Sequence, residues 1–189
     1  MRRIILIFSI IFLALCLCAC GENEEDWRDR YEVRDTATVV AELKEHFAEN
    51  REELEQIAFA MFRDTENTEK YPYGLYGSWG KLYTQDSSMD VDFSNPLESE
   101  TADLIAAYYA KGFSEAQHIY IDKDLYYVRQ EVCVFSYNAF LEDDGVLTEV
   151  NLLYCEEEKL EEEKPFGFPP VQIISLDDHW SICVVDYPY

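Results

Sequence analysis

Residues 40–61 read VAELKEHFAENREELEQIAFAM, and in them Val40, Leu43, Phe47, Asn50, Leu54, Ile57 and Met61 recur at alternating steps of three and four. At 3.6 residues per turn, that spacing lines the seven side chains along one stripe. It predicts a long helix that buries a single face. Asp35 or Thr36 stands where a side-chain oxygen can accept from the free amides of the first turn. Asn50 is polar on an otherwise apolar stripe. The expectation is that it bonds a neighbouring backbone group, because buried polar atoms are almost always satisfied.

C-terminal to this helix the three-and-four period stops. Residues 71–83, YPYGLYGSWGKLY, are crowded with aromatics and glycines and predict turns with one or two short strands. Met89 to Phe93 is a further candidate strand. Asn95-Pro96 reads as a helix start, with Asn as cap and Pro at the first helical position. Leu97, Leu104, Ile105 and Tyr108 would form its buried side, and Lys111-Gly112 would end it. Beyond Gly112 the pattern becomes strand-like: His118–Ile121 and Leu125–Tyr137 around Asp122-Lys123-Asp124, then Leu147–Cys155 after Asp143-Asp144-Gly145. A charge run from Glu156 to Lys164 and a Pro/Phe loop from Pro165 to Pro170 follow. Val171–Leu176 and Trp180–Asp186 make a last hairpin around Asp177-Asp178-His179.

Helices first and adjacent strands later mean an α+β fold. The long N-terminal helix and a second helix pack on one antiparallel sheet built from C-terminal hairpins. One domain, residues 36–189, accounts for all of it.

The same hairpins bear on the cysteines. If Asp143-Asp144-Gly145 is a three-residue loop with Gly145 left-handed, Glu142 faces Val146 and Cys133 comes opposite Cys155. Directly opposed residues are close enough for a disulfide. A two-residue Asp144-Gly145 loop instead moves Cys155 to the other face. Cys183 is the odd thiol, and all three also suit a buried core as small hydrophobes.

The other end of the chain carries an address. Met1-Arg2-Arg3 precedes the apolar run Ile4 to Leu17, then Cys18-Ala19-Cys20-Gly21, then Glu22-Asn23-Glu24-Glu25-Asp26. Positive, apolar, small and then polar is the order of a secretory signal, and the run is short for a membrane span. Leu17-Cys18-Ala19-Cys20 resembles the bacterial lipobox. That resemblance implies cleavage after Ala19, a signal peptide over residues 1–19, and a diacylglyceryl group on Cys20. Two acyl chains hold a protein stably on a membrane. Residues 20–35 then read as a tether, and the expected location is the outer face of the cytoplasmic membrane. Phe47-x-x-Asn50-x-x-x-Leu54-x-x-Ile57 with Leu176-Asp177-x-x-Trp180 is similar to small uncharacterised lipoproteins of Gram-positive bacteria. This likeness implies a fold and a location, and no activity.

Composition narrows the partners. The 39 acidic against 15 basic residues give a formal net charge of −24. Nucleic-acid binding runs on Lys and Arg displacing counterions, so no nucleic acid is expected. The same charge repels an anionic membrane, which leaves the lipid on Cys20 as the membrane contact.

The motifs offer little catalysis. His46, His118 and His179 lie on separate elements, and none has the HExxH spacing of a zinc helix. Asp90-x-Asp92-x-Ser94 spaces oxygens like a calcium loop, but Asn95 stands where Gly is wanted and Thr101 where a bidentate Glu is. The glutamates after Glu156 read as a solvated run. No pattern asks for a metal or another cofactor, and no GxSxG is present. The aromatic–glycine stretch is the feature with a functional flavour: Tyr73, Tyr76, Trp79 and Tyr83 can stack on a sugar or peptide, or cover the sheet as a flap. The expectation is a non-enzymatic binding domain for a protein, peptide or cell-wall component. The alternatives are a hydrolase of wall or sugar substrates using two carboxylates, and a small inhibitory or immunity-type lipoprotein.

Overall fold

In the computed structural model the apolar stripe becomes the buried side of α1 (Thr36–Thr65), whose first turn is capped by the Asp35 carboxylate accepting from the Thr38 amide at 2.8 Å. The structure describes residues 27–67, 69–86, 90–111, 116–122, 131–137, 139–156 and 171–187. The predicted signal peptide, Cys20, the Lys123-Asp124 part of the turn after Asp122, and most of the charge run and Pro/Phe loop lie outside these residues. The chain divides into two units, Met1–Glu32 and Val33–Tyr189. In the first, Trp27–Arg30 form a short 3-10 turn.

Among the described residues of the second unit, α1 and α2 (Glu100–Ala110) accompany eight strands. These are β1 (Leu75–Ser78), β2 (Lys81–Thr84), β3 (Ala116–Asp122), β4 (Val132–Tyr137), β5 (Phe140–Leu141), β6 (Leu147–Tyr154), β7 (Val171–Ser175) and β8 (Trp180–Tyr187). They form one sheet in the order β2-β1-β3-β4-β6-β8-β7, with β5 also paired to β6. Every strand pair is antiparallel. The fold is α+β as the pattern of elements requires, a long first helix and a shorter second one on an antiparallel sheet.

Both helices send their apolar sides into one core. Leu43, Phe47, Leu54, Ile57 and Met61 of α1 and Ile105 and Tyr108 of α2 pack with Ile119, Cys133, Phe135, Leu152, Trp180 and Ile182 of the sheet. Trp180 is fully buried, with Phe47 at 5.2 Å, Phe135 at 5.7 Å and Tyr154 at 5.0 Å between ring centroids. Asn50 donates to the His46 carbonyl at 2.9 Å, so its amide serves a backbone group one turn back. The helices run antiparallel: Asp64 accepts from the Thr101 hydroxyl at 2.6 Å, Arg63 pairs with Glu100, and Glu53 pairs with Lys111.

Two local expectations need correction. The second helix starts at Glu100, capped by Ser99, and not at Asn95-Pro96. The Leu97 amide donates instead to the Leu82 carbonyl at 2.7 Å, a bridge to β2 that holds residues 96–99 out of the helix. Asn95 is spent on a turn, its side chain donating to Asp92.

The second correction concerns Cys133 and Cys155. The hairpin turn is the three-residue form: Glu142 and Val146 face each other, and Gly145 is left-handed with φ +86°. Phe140 pairs with Thr148 on that register. Between Phe140 and Ser136, however, this side of the hairpin holds one residue more than β6 does, and Ser136 pairs with Asn151. A one-residue slip reverses faces. Cys133 therefore stands opposite Tyr154 and packs under the helices, whereas Cys155 packs on the other face. Cys133, Cys155 and Cys183 are all free, buried thiols.

Candidate functional site

A strand's side chains alternate between faces, so the face turned away from α1 and α2 follows from the register. Ser78, His118, Ser136, Asn151 and Cys183 form one row across five strands. Tyr83, Tyr76, Tyr120, Val134 and Leu153 form the next. Towards β7 this face is apolar and buried, with Val132, Val134, Leu153, Cys155, Ile173, Cys183 and Val185 in one cluster. Towards β1 and at its middle it is aromatic and polar.

Here the ring of Tyr76 stacks on Tyr120 at 5.8 Å and 21°, and lies 5.1 Å from the His118 ring. Phe93 meets both Tyr76 and Tyr83 edge-on, at 6.2 and 5.1 Å, while remaining 58% exposed. Of the four aromatic residues expected to bind, the sheet thus joins Tyr76 and Tyr83 as cross-strand partners. It does not join the others. Trp79 sits with Gly80 at the β1–β2 turn, both with positive φ as a tight two-residue hairpin loop requires. Trp79 and Tyr73 are exposed and make no ring contact among the described residues. The Trp79 backbone lies against the Tyr109 hydroxyl, whose pKa burial pushes up to about 12.

Glu149 lies on the same face, where its charge acts on Tyr76 and His118. One carboxylate oxygen accepts from the Ser136 hydroxyl and from the Asn151 amide, each at 3.1 Å, and the other from the Tyr187 hydroxyl at 3.1 Å. Among the described residues no Lys, Arg or His pairs with it. Asn151 is fully buried, and its Oδ1 has no hydrogen-bond partner among the described residues. The same holds for His118 Nδ1. Burial lowers the His118 pKa below the ordinary imidazole value, and the charge of Glu149 pulls it the other way. Burial likewise raises the Tyr76 hydroxyl, with Glu149 adding to the effect. The site therefore combines an imidazole, a carboxylate and a group of aromatic rings in which Tyr76 stacks on Tyr120 and meets Phe93 edge-on.

Sequence reasoning missed Phe93, His118, Tyr120, Ser136, Glu149, Asn151 and Tyr187. A signal was present in β6, where Leu147, Glu149, Asn151 and Leu153 share one face and two of the four are polar. The other histidines are placed elsewhere. His46 bonds the Tyr108 hydroxyl at 2.7 Å, and His179 bonds the Cys155 carbonyl at 2.9 Å. Asp92 is turned inward on its own loop, accepting from the Ser94 amide and hydroxyl, the bonds that lower its pKa. No group of three metal-ligating side chains occurs among the described residues. No protein-family model matches this chain, and neither the curated proteins nor the solved structures give a match.

Proposed function

We propose that this chain is a lipoprotein anchored through Cys20, and that its α+β domain is a non-enzymatic binding module for a protein, peptide or cell-wall component. The ligand is taken on the face of the sheet turned away from α1 and α2. The observation that carries this reading is the stack of Tyr76 on Tyr120, with the His118 ring tilted against Tyr76, on the same face as a carboxylate with no cationic partner among the described residues. Flat rings at a partly buried face offer a large apolar area with polar edges, the composition of a recognition surface. The lipobox-like Leu17-Cys18-Ala19-Cys20 supports the anchor. Among the described residues no helix is long and apolar enough to cross a membrane.

Two experiments test the two halves. Cys20→Ser abolishes incorporation of labelled fatty acid; label retained in that variant contradicts the anchor. Crosslinking and capture from intact cells, compared between the native chain and Tyr76→Ala/Tyr120→Ala, tests the face. The double variant loses the captured species while Phe59→Ala, on the exposed side of α1, retains it. Equal capture by all three contradicts the assignment.

A further inference from the structure

The identity of the ligand's contacting group follows from what the described residues of the face turned away from α1 and α2 leave unmet, given the reading that this face binds. Glu149 carries a charge that its donors Ser136, Asn151 and Tyr187 stabilise but do not neutralise. Asn151 must present Nδ2 to Glu149, because the opposite orientation would set a carbonyl against a carboxylate oxygen. Its Oδ1 is thereby fixed as an acceptor, closed to bulk water and without a partner among the described residues. An unmet buried acceptor is costly, and a donor carried in by a ligand relieves it. The third element is the aromatic row, whose π faces attract cations.

We propose that this face receives a primary alkylammonium group, as on a lysine side chain or a free diamine. Its charge answers Glu149, its N–H donors answer Glu149 and Asn151 Oδ1, and its methylene stem lies against Tyr76 and Tyr120. A quaternary ammonium satisfies the charge and the rings but has no N–H for Asn151. A neutral sugar hydroxyl supplies a donor but no charge. The formal net charge of −24 draws cations towards the domain from a distance.

The probes are cadaverine, a lysine-containing tripeptide, the same tripeptide acetylated at Nε, and tetramethylammonium. Binding to the full-length exported protein in detergent is followed by ligand-observed NMR. Cadaverine or the lysine peptide binds saturably, and whichever binds identifies the source of the amine. Acetylation and the quaternary probe each weaken binding by about tenfold or more, the worth of one charge-assisted hydrogen bond. Glu149→Gln weakens the amine to a similar degree, and Glu149→Asp, which keeps the charge one methylene further back, weakens it less. Both variants are checked for native circular dichroism, and Ser136→Ala is a milder substitute for one that unfolds. Saturable binding by neither amine, or an affinity within about twofold in Glu149→Gln, overturns the proposal. A partner still captured through Tyr76 and Tyr120 in Glu149→Gln would overturn the ammonium assignment while leaving the binding face intact.

Discussion

Phe47 and Trp180 come from opposite ends of the chain and meet at 5.2 Å in the core. Phe47→Ala deletes a nearly buried ring and leaves a cavity against Trp180. The expected loss is about 3–5 kcal/mol of unfolding free energy, measured by urea denaturation; a loss under about 1 kcal/mol would mean that the ring packs less tightly than described. His118 gives a pH signature. Burial holds its native pKa below the ordinary value near 6.5, so the unfolded chain takes up the proton first as the pH falls. Its contribution is therefore full above that value and is lost as the pH drops towards the lowered native one. Between about pH 7.5 and about 5.5, His118→Gln should lose less stability than the native chain. An identical pH dependence would show that His118 titrates alike in both states. The residues of the long helix were legible in the sequence because a 3.6-residue period is a local signal. Phe47 needed no partner to be assigned to the core, and Asn50 could be given a backbone bond one turn away.

At the scale of elements, legibility depends on how far a determining contact lies. The strands of the C-terminal hairpins were readable, and so was the turn that Gly145 makes. The start of α2 was not, since Leu97 is withdrawn by a bridge to Leu82 and the cap passes to Ser99. The pairing of Cys133 failed by one residue, the extra one between Ser136 and Phe140. Alternation alone does not locate a bulge. The junction of α1 with α2 gives a test at this scale. Thr101 is fully buried and its hydroxyl donates to Asp64. Thr101→Val keeps the shape and removes the donor, at an expected cost of about 1–2 kcal/mol. Asp64→Asn in the Thr101→Val background should then cost less than it does alone, because their shared bond is already gone and only the ion pair with Arg63 is left to lose. Fully additive losses would show that the two residues act independently.

At the scale of the whole molecule, α1 and α2 pack on one face of the sheet, and among the described residues the other face carries an apolar cluster and a polar and aromatic row. That row draws on β1, β2, β3, β4 and β6 and on the loop that carries Phe93. The fold class was readable because it needs only the order of element types. The site was not, because Tyr76, Tyr120 and Glu149 come onto one face of the sheet only once the strand order is known. Of the four residues that composition singled out, Tyr76 and Tyr83 become cross-strand partners, whereas Tyr73 and Trp79 stand exposed outside that row. The central claim is that the tethered domain binds through this face. The most direct measurement is photo-crosslinking on intact cells from p-benzoylphenylalanine at position 120, with position 59 on α1 as the control. Both positions carry aromatic side chains that already meet neighbouring rings, and each variant is checked for native circular dichroism. The account predicts a discrete adduct from position 120 that is weakened by Tyr76→Ala and absent from position 59. An adduct formed equally from both positions, or from position 59 alone, would contradict it.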